Sequence, residues 1–365
     1  MIYKVIGTMS GSSLDGLDIV YAEFTETGGK WAFEILAADC YQYTDDWKQR
    51  LSTATGLSAL EYQLLHTRYG LYNGEMINRF IGENNLEHKV HLVASHGHTS
   101  FHLPAQKTTV QLGDGASIAA TVKLPVVSDL RNMDVALGGQ GAPIVPIGEK
   151  LLFGEYDYFL NIGGIANISI QQDGSFTAFD VCAANRVLNM LAEQKGLLFD
   201  EGGQIATSGN TDEVLLEKLN ALEYYRLKYP KSLANNFGTE VVYPLIIKSG
   251  LSVEDSLSTY VEHICVQIKN ALLNSDNEPM KTKKRLLCTG GGALNTYLIE
   301  RLSALLMNLQ TEIFVPDINL IQYKEALIMG FIGVLRWREE INVMSTVTGS
   351  SQSSVGGALW MGSAG

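Results

Sequence analysis

The chain has 365 residues, more than a single hydrophobic core usually organises, so two domains are expected. Hydrophobic residues make up 46% of it and charged residues 18%, with no long polar or low-complexity tract, which excludes a largely disordered chain. Its 27 Lys and Arg face 39 Asp and Glu, a formal net charge of -12 that repels nucleic acid and anionic lipid.

The N-terminus, Met1-Ile2-Tyr3-Lys4-Val5-Ile6-Gly7, enters a strand directly, without the basic segment, apolar core or cleavage site of a secretion signal. Cys40, Cys182, Cys265 and Cys288 show no C-x-x-C spacing, which fits reduced thiols in a cytoplasmic protein. A glycine-rich turn follows the first strand, and a second strand follows the turn. Gly11, Ser12 and Ser13 let backbone N–H groups approach a phosphate, with Leu14, Gly16 and Leu17 completing the turn. Asp15 or Asp18 is then placed to serve the magnesium ion that accompanies ATP, and the sequence does not choose between them. A hairpin closed by the same Gly-Ser turn for purely structural reasons would look alike.

Leu92-Val93-Ala94 and Val126-Val127 read as further short strands between helices. Downstream of the first of them, His96, His98 and His102 fall on alternate positions that could share one strand face, a spacing that invites a zinc reading, although neutral histidines that donate hydrogen bonds to hydroxyls are the more common case. Arg131 is either a fork for a carboxylate or a surface ion pair. Leu137-Gly138-Gly139-Gln140-Gly141-Ala142-Pro143 has the composition of a bend, and the change of domain is expected between Asp134 and Pro146.

The strand-turn-strand pattern then repeats in Tyr158 to Ile170, where Asn161, Gly163 and Gly164 form the turn, and the repetition implies a duplication. Phe176 to Phe179 reads as a strand, and Asn185 to Lys195 as a helix that Gly196 could end. Asp180 would end that strand just ahead of the helix dipole, as a helix cap or as a base. A helix from about Leu257 to Leu273 precedes the strand Arg285 to Cys288, and Lys281 to Arg285 reads as a solvated loop before it. The third turn, Gly290, Gly291 and Gly292 with Asn295, presents bare backbone to a base or ribose. Neither G-x-x-x-x-G-K-[ST] nor a G-x-G-x-x-G after the first strand is present, so the P-loop and dinucleotide readings lose their main support. Glu325, ahead of an apolar helix, could reach a ribose or cap that helix. The apolar window Ala326 to Leu335 is too short to span a bilayer and reads as buried. The tail from Ser345 is expected to return to the first domain, since Ala358-Leu359-Trp360-Met361 is too apolar to hang free.

These turns in this order predict an α/β, two-domain, actin-like ATPase fold, a duplicated ribonuclease H-like architecture with a central cleft. The expected domains are residues 1–135 with 345–365, and 136–344.

At these residues the sequence resembles the anhydro-N-acetylmuramic acid kinases, of the sugar kinase, hsp70 and actin superfamily. The resemblance covers nearly the whole chain and is carried by Gly7 to Asp18, Ser95 to Thr99, Gln111 to Asp114, Asp129 to Arg131 with Asp134, Gly138 to Pro146, Asn161 to Ile168, Asp180 with Asn185, and Gly290 to Asn295. It implies ATP and Mg2+ as cofactors and a small-molecule sugar as substrate. The implied reaction hydrates the 1,6-anhydro ring and phosphorylates the freed 6-oxygen, giving N-acetylmuramic acid 6-phosphate in cell-wall recycling, with Asp180 as the base. His96, His98, Arg131 and Asn185 would bind the sugar. A homodimer is compatible with all this. Where the family usually reads Asp-Thr-Gly-Pro-Gly-Asn, this chain has Asp180-Val181-Cys182-Ala183-Ala184-Asn185, so its helix is expected to begin earlier. Ile147-Gly148-Glu149 likewise replaces Ala-Phe-His. The alternatives are a related sugar kinase without ring hydrolysis and a nucleotide-binding sensor weakened by the altered loop.

Overall fold

The computed structural model describes residues 1–11, 13–172, 175–228, 231–234, 236–274 and 283–362. Ser12 of the first turn and Lys281 of the basic run lie outside them. The chain divides into two compact units, Met1–Gly154 with Tyr323–Gly365, and Glu155–Gln322.

In the first unit the strands are β1 (Ile2–Ser10), β2 (Gly16–Thr27), β3 (Lys30–Gln42), β4 (Leu92–Leu103), β5 (Thr108–Leu112) and β6 (Val126–Ser128). The second contains β7 (Tyr158–Ile162), β8 (Ile165–Gln172), β9 (Ser175–Ala183), β10 (Lys284–Thr289) and β11 (Thr311–Phe314), and β12 (Ala358–Trp360) belongs to the first. The first sheet runs β12-β6-β4-β1-β2-β3, with β5 pairing β4, and the second runs β11-β10-β7-β8-β9. In each, a first strand pairs antiparallel with the next and parallel with a later one: β1 with β2 and β4, β7 with β8 and β10. The third strand adds antiparallel to the second, as β3 and as β9. Two sheets with one topology are the duplicated, actin-like α/β architecture that the repeated hairpins predicted.

Each sheet has its own core. Ile6, Leu17, Ile19, Tyr69 and Phe80 are among the residues that fill the first, and Leu160, Ile168, Leu191, Ile264 and Leu286 among those that fill the second. The helices that close these cores carry side-chain caps at their N-termini. Ser58 and Glu61 form a reciprocal capping box on Ala59–Glu83, and side-chain N-caps recur as Ser252 on Val253–Leu273 and Asn295 on Thr296–Met307.

The apolar window at Ala326 to Leu335 is part of a longer helix, Ile318–Trp337, inside which the unit boundary falls. Among the described residues it is the one helix long and apolar enough to cross a membrane, but 72% of its most apolar stretch is buried inside the protein. Its polar first turns, Gln322 to Glu325, hid that length from a reading of apolar windows. Glycine sets its distance from the sheet. A Cβ on Gly7 of β1 would lie 2.0 Å from the Ala326 carbonyl oxygen and 2.6 Å from the Gly330 nitrogen, so strand and helix backbones touch there.

The glycine-rich segment 138–141 lies within the first unit and is tied to it. Buried Asp134 accepts the Gly141 N–H at 2.8 Å and the Thr348 hydroxyl at 2.6 Å, while the Gln140 N–H donates to the Thr348 carbonyl at 2.8 Å. Past Thr348, β12 pairs antiparallel with β6, and the Trp360 indole donates to Ser128 at 3.2 Å.

Gly7→Ala should lower stability by about 1–3 kcal/mol or more, since neither backbone can move aside. Gly330→Ala, whose Cβ would meet Gly7 at an ordinary 3.4 Å, should cost less. Denaturant midpoints of the two variants compare them directly, and equal midpoints would contradict this packing.

Candidate functional site

Parallel strands put their carboxyl ends on one edge of a sheet, and the strand with unlike partners on its two sides marks where that edge opens. In the first unit that strand is β1. Its last residue, Ser10, is in register with His98 of β4, whose Nδ1 lies 3.1 Å from the Ser10 hydroxyl. The Tyr43 hydroxyl donates to the same Ser10 oxygen at 2.8 Å, and Thr8 donates to Ser95 at 3.2 Å. This edge is therefore lined with buried hydroxyls and imidazole.

One further turn holds the cation of the site. Arg131 donates through Nε to His96 Nε2 at 2.8 Å and through Nη1 to the Gly141 carbonyl at 2.6 Å. Because Nε2 accepts from a guanidinium, the His96 proton sits on Nδ1, which donates to the Gly97 carbonyl at 2.9 Å. Burial, with Arg131 beside it, pushes the His96 pKa down to about 3, so the ring is neutral. Burial also lowers Arg131 to about 10, offset in part by the negative charge of Glu325. Among the described residues no carboxylate forms an ion pair with Arg131, which removes the surface-pair alternative and leaves Nη2 for an anion. The segment before it is bent: Asp129 has a φ of +56°, a backbone state rare outside glycine. The zinc alternative also falls. Both His96 nitrogens are occupied, His98 is turned to Ser10, and His102 Nδ1 lies 3.1 Å from the Thr109 hydroxyl. Among the described residues no three metal-ligating groups converge.

The turn after β1 places its residues unevenly. Gly11 and Ser13 are accessible, and Leu14 takes a φ of +59°. Gly16 is packed against β3, where a Cβ would lie 2.6 Å from the Tyr41 carbonyl, and Leu17 is a core side chain. Asp15 is exposed, whereas Asp18 is half-buried in register with Cys40. Burial raises the Asp18 pKa to about 6, against the lowering effect of the Cys40 hydrogen bond, and the charges of Glu325 and Asp15 raise it further. Cys40 and Glu325 are the neighbours that sequence reasoning did not attach to Asp18, because strand register and a helix some 300 residues away bring them there.

In the second unit the turn after β7, the start of the helix Asn185–Glu193 and the turn after β10 come together. Asn185 donates through Nδ2 to the Ile162 carbonyl at 3.0 Å, and its N–H donates to Gly163 at 3.1 Å. Gly290, with a φ of +81°, leaves no room for a side chain, since its Cβ would lie 2.6 Å from Asn161 Oδ1. Gly292 is equally filled, with Ile162 Cγ2 at 2.2 Å. Gly291 is different: it is exposed, and its Cβ would meet Asn185 Nδ2 at 3.6 Å. Asn295 caps the helix Thr296–Met307 by accepting the Leu298 N–H at 3.0 Å, so its side chain is committed to the fold. The result is a shelf of bare backbone made by Asn161, Gly163, Gly164 and Gly290 to Gly292.

Asp180 lies inside β9, which continues to Ala183, and the next helix has Ala184 at its N-cap with no side-chain cap. Both the expected strand end and the helix-cap reading are thus corrected. The helix does not begin earlier, because Val181, Cys182 and Ala183 are strand-competent where a Gly-Pro-Gly turn would not be. Register shifts so that Asn167 faces Asp180 while Ala166 faces Cys182, which makes Val181 a bulge. β9 is the sheet edge, and residues 231–233 cover it. The Asp180 N–H donates to the Lys231 carbonyl at 3.1 Å, and Oδ2 accepts the Leu233 N–H at 2.8 Å and the Ser232 hydroxyl at 3.0 Å. Oδ1 has no protein partner among the described residues.

His96 gives the pH response a definite sign. Its folded pKa is depressed from 6.5 to about 3, so its contribution is present above 6.5 and is lost as pH falls. His98 and His263 are depressed in the same sense by burial. Stability should decline with acid below pH 6.5, and His96→Gln should make that decline shallower by up to about 1.4 kcal/mol per pH unit, one proton's worth. Chemical denaturation between pH 4 and 7 would measure it, and an unchanged slope would count against a neutral His96.

The sequence profile described as "Anhydro-N-acetylmuramic acid kinase" matches residues 3–362. An anhydro-N-acetylmuramic acid kinase of Sulfurovum sp. (strain NBC37-1) is 32% identical over 98% of this chain and 99% of its own length. The enzyme of that name from Haemophilus influenzae is 30% identical, covering 97% of each. Among solved structures, a ROK family glucokinase from Streptomyces griseus in complex with glucose and AMPPNP is similar with a TM-score of 0.42 at 10% identity, covering 91% of this chain and 99% of that one. With its profile matched almost end to end and relatives of this identity matched over nearly their full length, the chain belongs to the anhydro-N-acetylmuramic acid kinase family.

Proposed function

We propose that this chain is an ATP-dependent sugar kinase that opens the anhydro ring of anhydro-N-acetylmuramic acid with water and phosphorylates the 6-oxygen, supplying N-acetylmuramic acid 6-phosphate to cell-wall recycling. The observation that carries the reading is Asp180: one carboxylate oxygen is clamped by a backbone N–H and a hydroxyl, and the other is left to accept a proton.

In this reading Asp180 takes a proton from water as the water oxygen bonds to the anomeric carbon. The bond from that carbon to the 6-oxygen breaks, the 6-oxygen keeps the electron pair and attacks the γ-phosphorus, and ADP leaves. Arg131, held by neutral His96, pairs with the lactyl carboxylate, a role suited to a buried guanidinium without an ion-pair partner. His98 and Asn185 hydrogen-bond the sugar. Gly291, Gly163 and Gly164 take the nucleotide on bare backbone, as Gly11 and Ser13 take its phosphates.

Asp15 and Asp18 suit magnesium. Asp18 is desolvated beside two other carboxylates and has no cationic partner among the described residues, a donor set that a hard cation relieves. Asp15 and Asp18 would hold the ion, which when bound would neutralise charge on the transferring phosphate.

Asp180→Asn keeps an acceptor for Leu233 and Ser232 but cannot take a proton, so turnover should fall by about two to four orders of magnitude with the melting temperature retained. Wild-type product formed in oxygen-18 water should carry the label at the anomeric oxygen. Unlabelled product would instead favour a sugar kinase without hydrolysis, and near-normal turnover of the Asn variant would remove Asp180 from the mechanism. Gly291→Val should weaken ATP binding while leaving folding intact, since its side chain enters open space on the shelf. Unchanged ATP affinity would detach this turn from the nucleotide.

A further inference from the structure

Ser10, the last residue of β1, sits in a series of buried polar groups that lies wholly within the first unit. Tyr69 belongs to the helix Ala59–Glu83, Tyr43 follows the last residue of β3, and His98 stands in register with Ser10 on β4. The Tyr69 and Tyr43 hydroxyls are 2.5 Å apart, Tyr43 is 2.8 Å from Ser10 Oγ, and Ser10 Oγ is 3.1 Å from His98 Nδ1. Trp47 packs edge-on against the Tyr69 ring and Tyr72 packs against Tyr43, which holds both phenols in place. The backbone of Tyr43 is tied to the turn after β1, since its N–H donates to the Asp15 carbonyl at 3.1 Å.

Only one order of protons fits these contacts. Each hydroxyl has a single proton to give. Tyr43 gives its own to Ser10, so the contact between the two phenols is made by the Tyr69 proton. The Ser10 hydroxyl is 3% exposed and has no further partner among the described residues. If His98 donated from Nδ1, the Ser10 proton would be buried without an acceptor, which folded proteins avoid. Ser10 therefore donates to Nδ1. Burial lowers the His98 pKa from 6.5, so the ring is neutral at pH 7 and its one proton is on Nε2. That nitrogen has no partner among the described residues and is not enclosed by them.

We propose that Ser10 and Tyr43 are positioning residues for the sugar: they fix His98 as the tautomer that offers an Nε2–H, so that the group of the substrate it meets is an acceptor oxygen. An ether, a carbonyl or the lone pair of a hydroxyl meets that requirement. The tautomer rests on the hydrogen bonds alone; the role in sugar binding rests on the reading of this chain as a sugar kinase. Donors aligned in one direction polarise one another, so loss of the Tyr43 hydroxyl weakens the bond from Ser10 to Nδ1 without altering His98 itself. Tyr43 meets the turn after β1 through its backbone, which a change of side chain leaves in place. Its hydroxyl thus serves the sugar and not the nucleotide.

The test is a nitrogen-15 spectrum of the full chain labelled at histidine, at neutral pH, with His98→Gln used to identify the His98 signals. Wild type should show a protonated Nε2 and an Nδ1 displaced as a hydrogen-bond acceptor. A protonated Nδ1 overturns the proposal. Tyr43→Phe should move the Nδ1 resonance towards that of an unbonded acceptor, and Ser10→Ala should move it further, because it removes the donor itself. An Nδ1 resonance unmoved in both variants also overturns it. In turnover assays Tyr43→Phe should raise the KM for the sugar by about three- to tenfold, the worth of one neutral hydrogen bond, and change kcat and the KM for ATP by less than about twofold. An unchanged sugar KM, or equal rises in both KM values, removes Tyr43 as a positioning residue. Should Tyr43→Phe fail to fold, the wild-type spectrum and Ser10→Ala still decide the tautomer and its cause. Absence of sugar-kinase turnover in wild type sinks the proposed function, and the role in sugar binding with it, while the spectrum still decides the tautomer.

Discussion

The hydroxyl and imidazole edge and the glycine shelf both depend on where parallel strands end. β1 and β7 each have an antiparallel neighbour on one side and a parallel one on the other, and the chain leaves both through glycine turns. At such a strand end the backbone is free of sheet pairing and its N–H groups are available. The hydroxyl and imidazole edge of the first unit and the glycine shelf of the second are two uses of that single geometric fact. The close contact of Gly7 with the helix Ile318–Trp337 supports it from below, since it fixes β1 against a buried helix that also carries Glu325 towards Asp18.

The polar groups of the first unit form one continuous chain of donors and acceptors. Thr348 donates to Asp134, Asp134 accepts Gly141, Gly141 accepts Arg131, and Arg131 donates to His96. Each buried member is satisfied by the next, which is the condition for a polar network in a core to be stable. The same series explains why the glycine-rich segment is anchored although its composition suggests a bend. A buried carboxylate with two good donors is costly to open, and the glycines serve the close approach, as at Gly139, whose Cβ would meet Asp134 at 2.2 Å.

β9 shows how a departure in sequence is absorbed by structure. Val181 to Ala184 stand where the family usually reads Thr-Gly-Pro-Gly, and here the strand continues to Ala183, with one bulged residue taking up the register. The Asp180 carboxylate stays fixed because its restraints come from residues 231–233 across the sheet edge and owe nothing to the altered loop.

The duplicated hairpins, the glycine turns and the family resemblance were legible in the sequence, because strand period and glycine's backbone freedom are local properties. It singled out Asp180, Arg131, His96 and Gly291 as residues. It could not separate Gly291 from Gly290 and Gly292, or Asp180 as a strand residue from Asp180 as a cap, since those distinctions lie in what packs nearby. Only the packed structure shows that Leu17 is core and Asn295 a cap, that Arg131 has no carboxylate partner among the described residues, and that Cys40 and Glu325 lie beside Asp18. Burial, register and charge environment arise from residues far apart in the chain, and no local pattern encodes them.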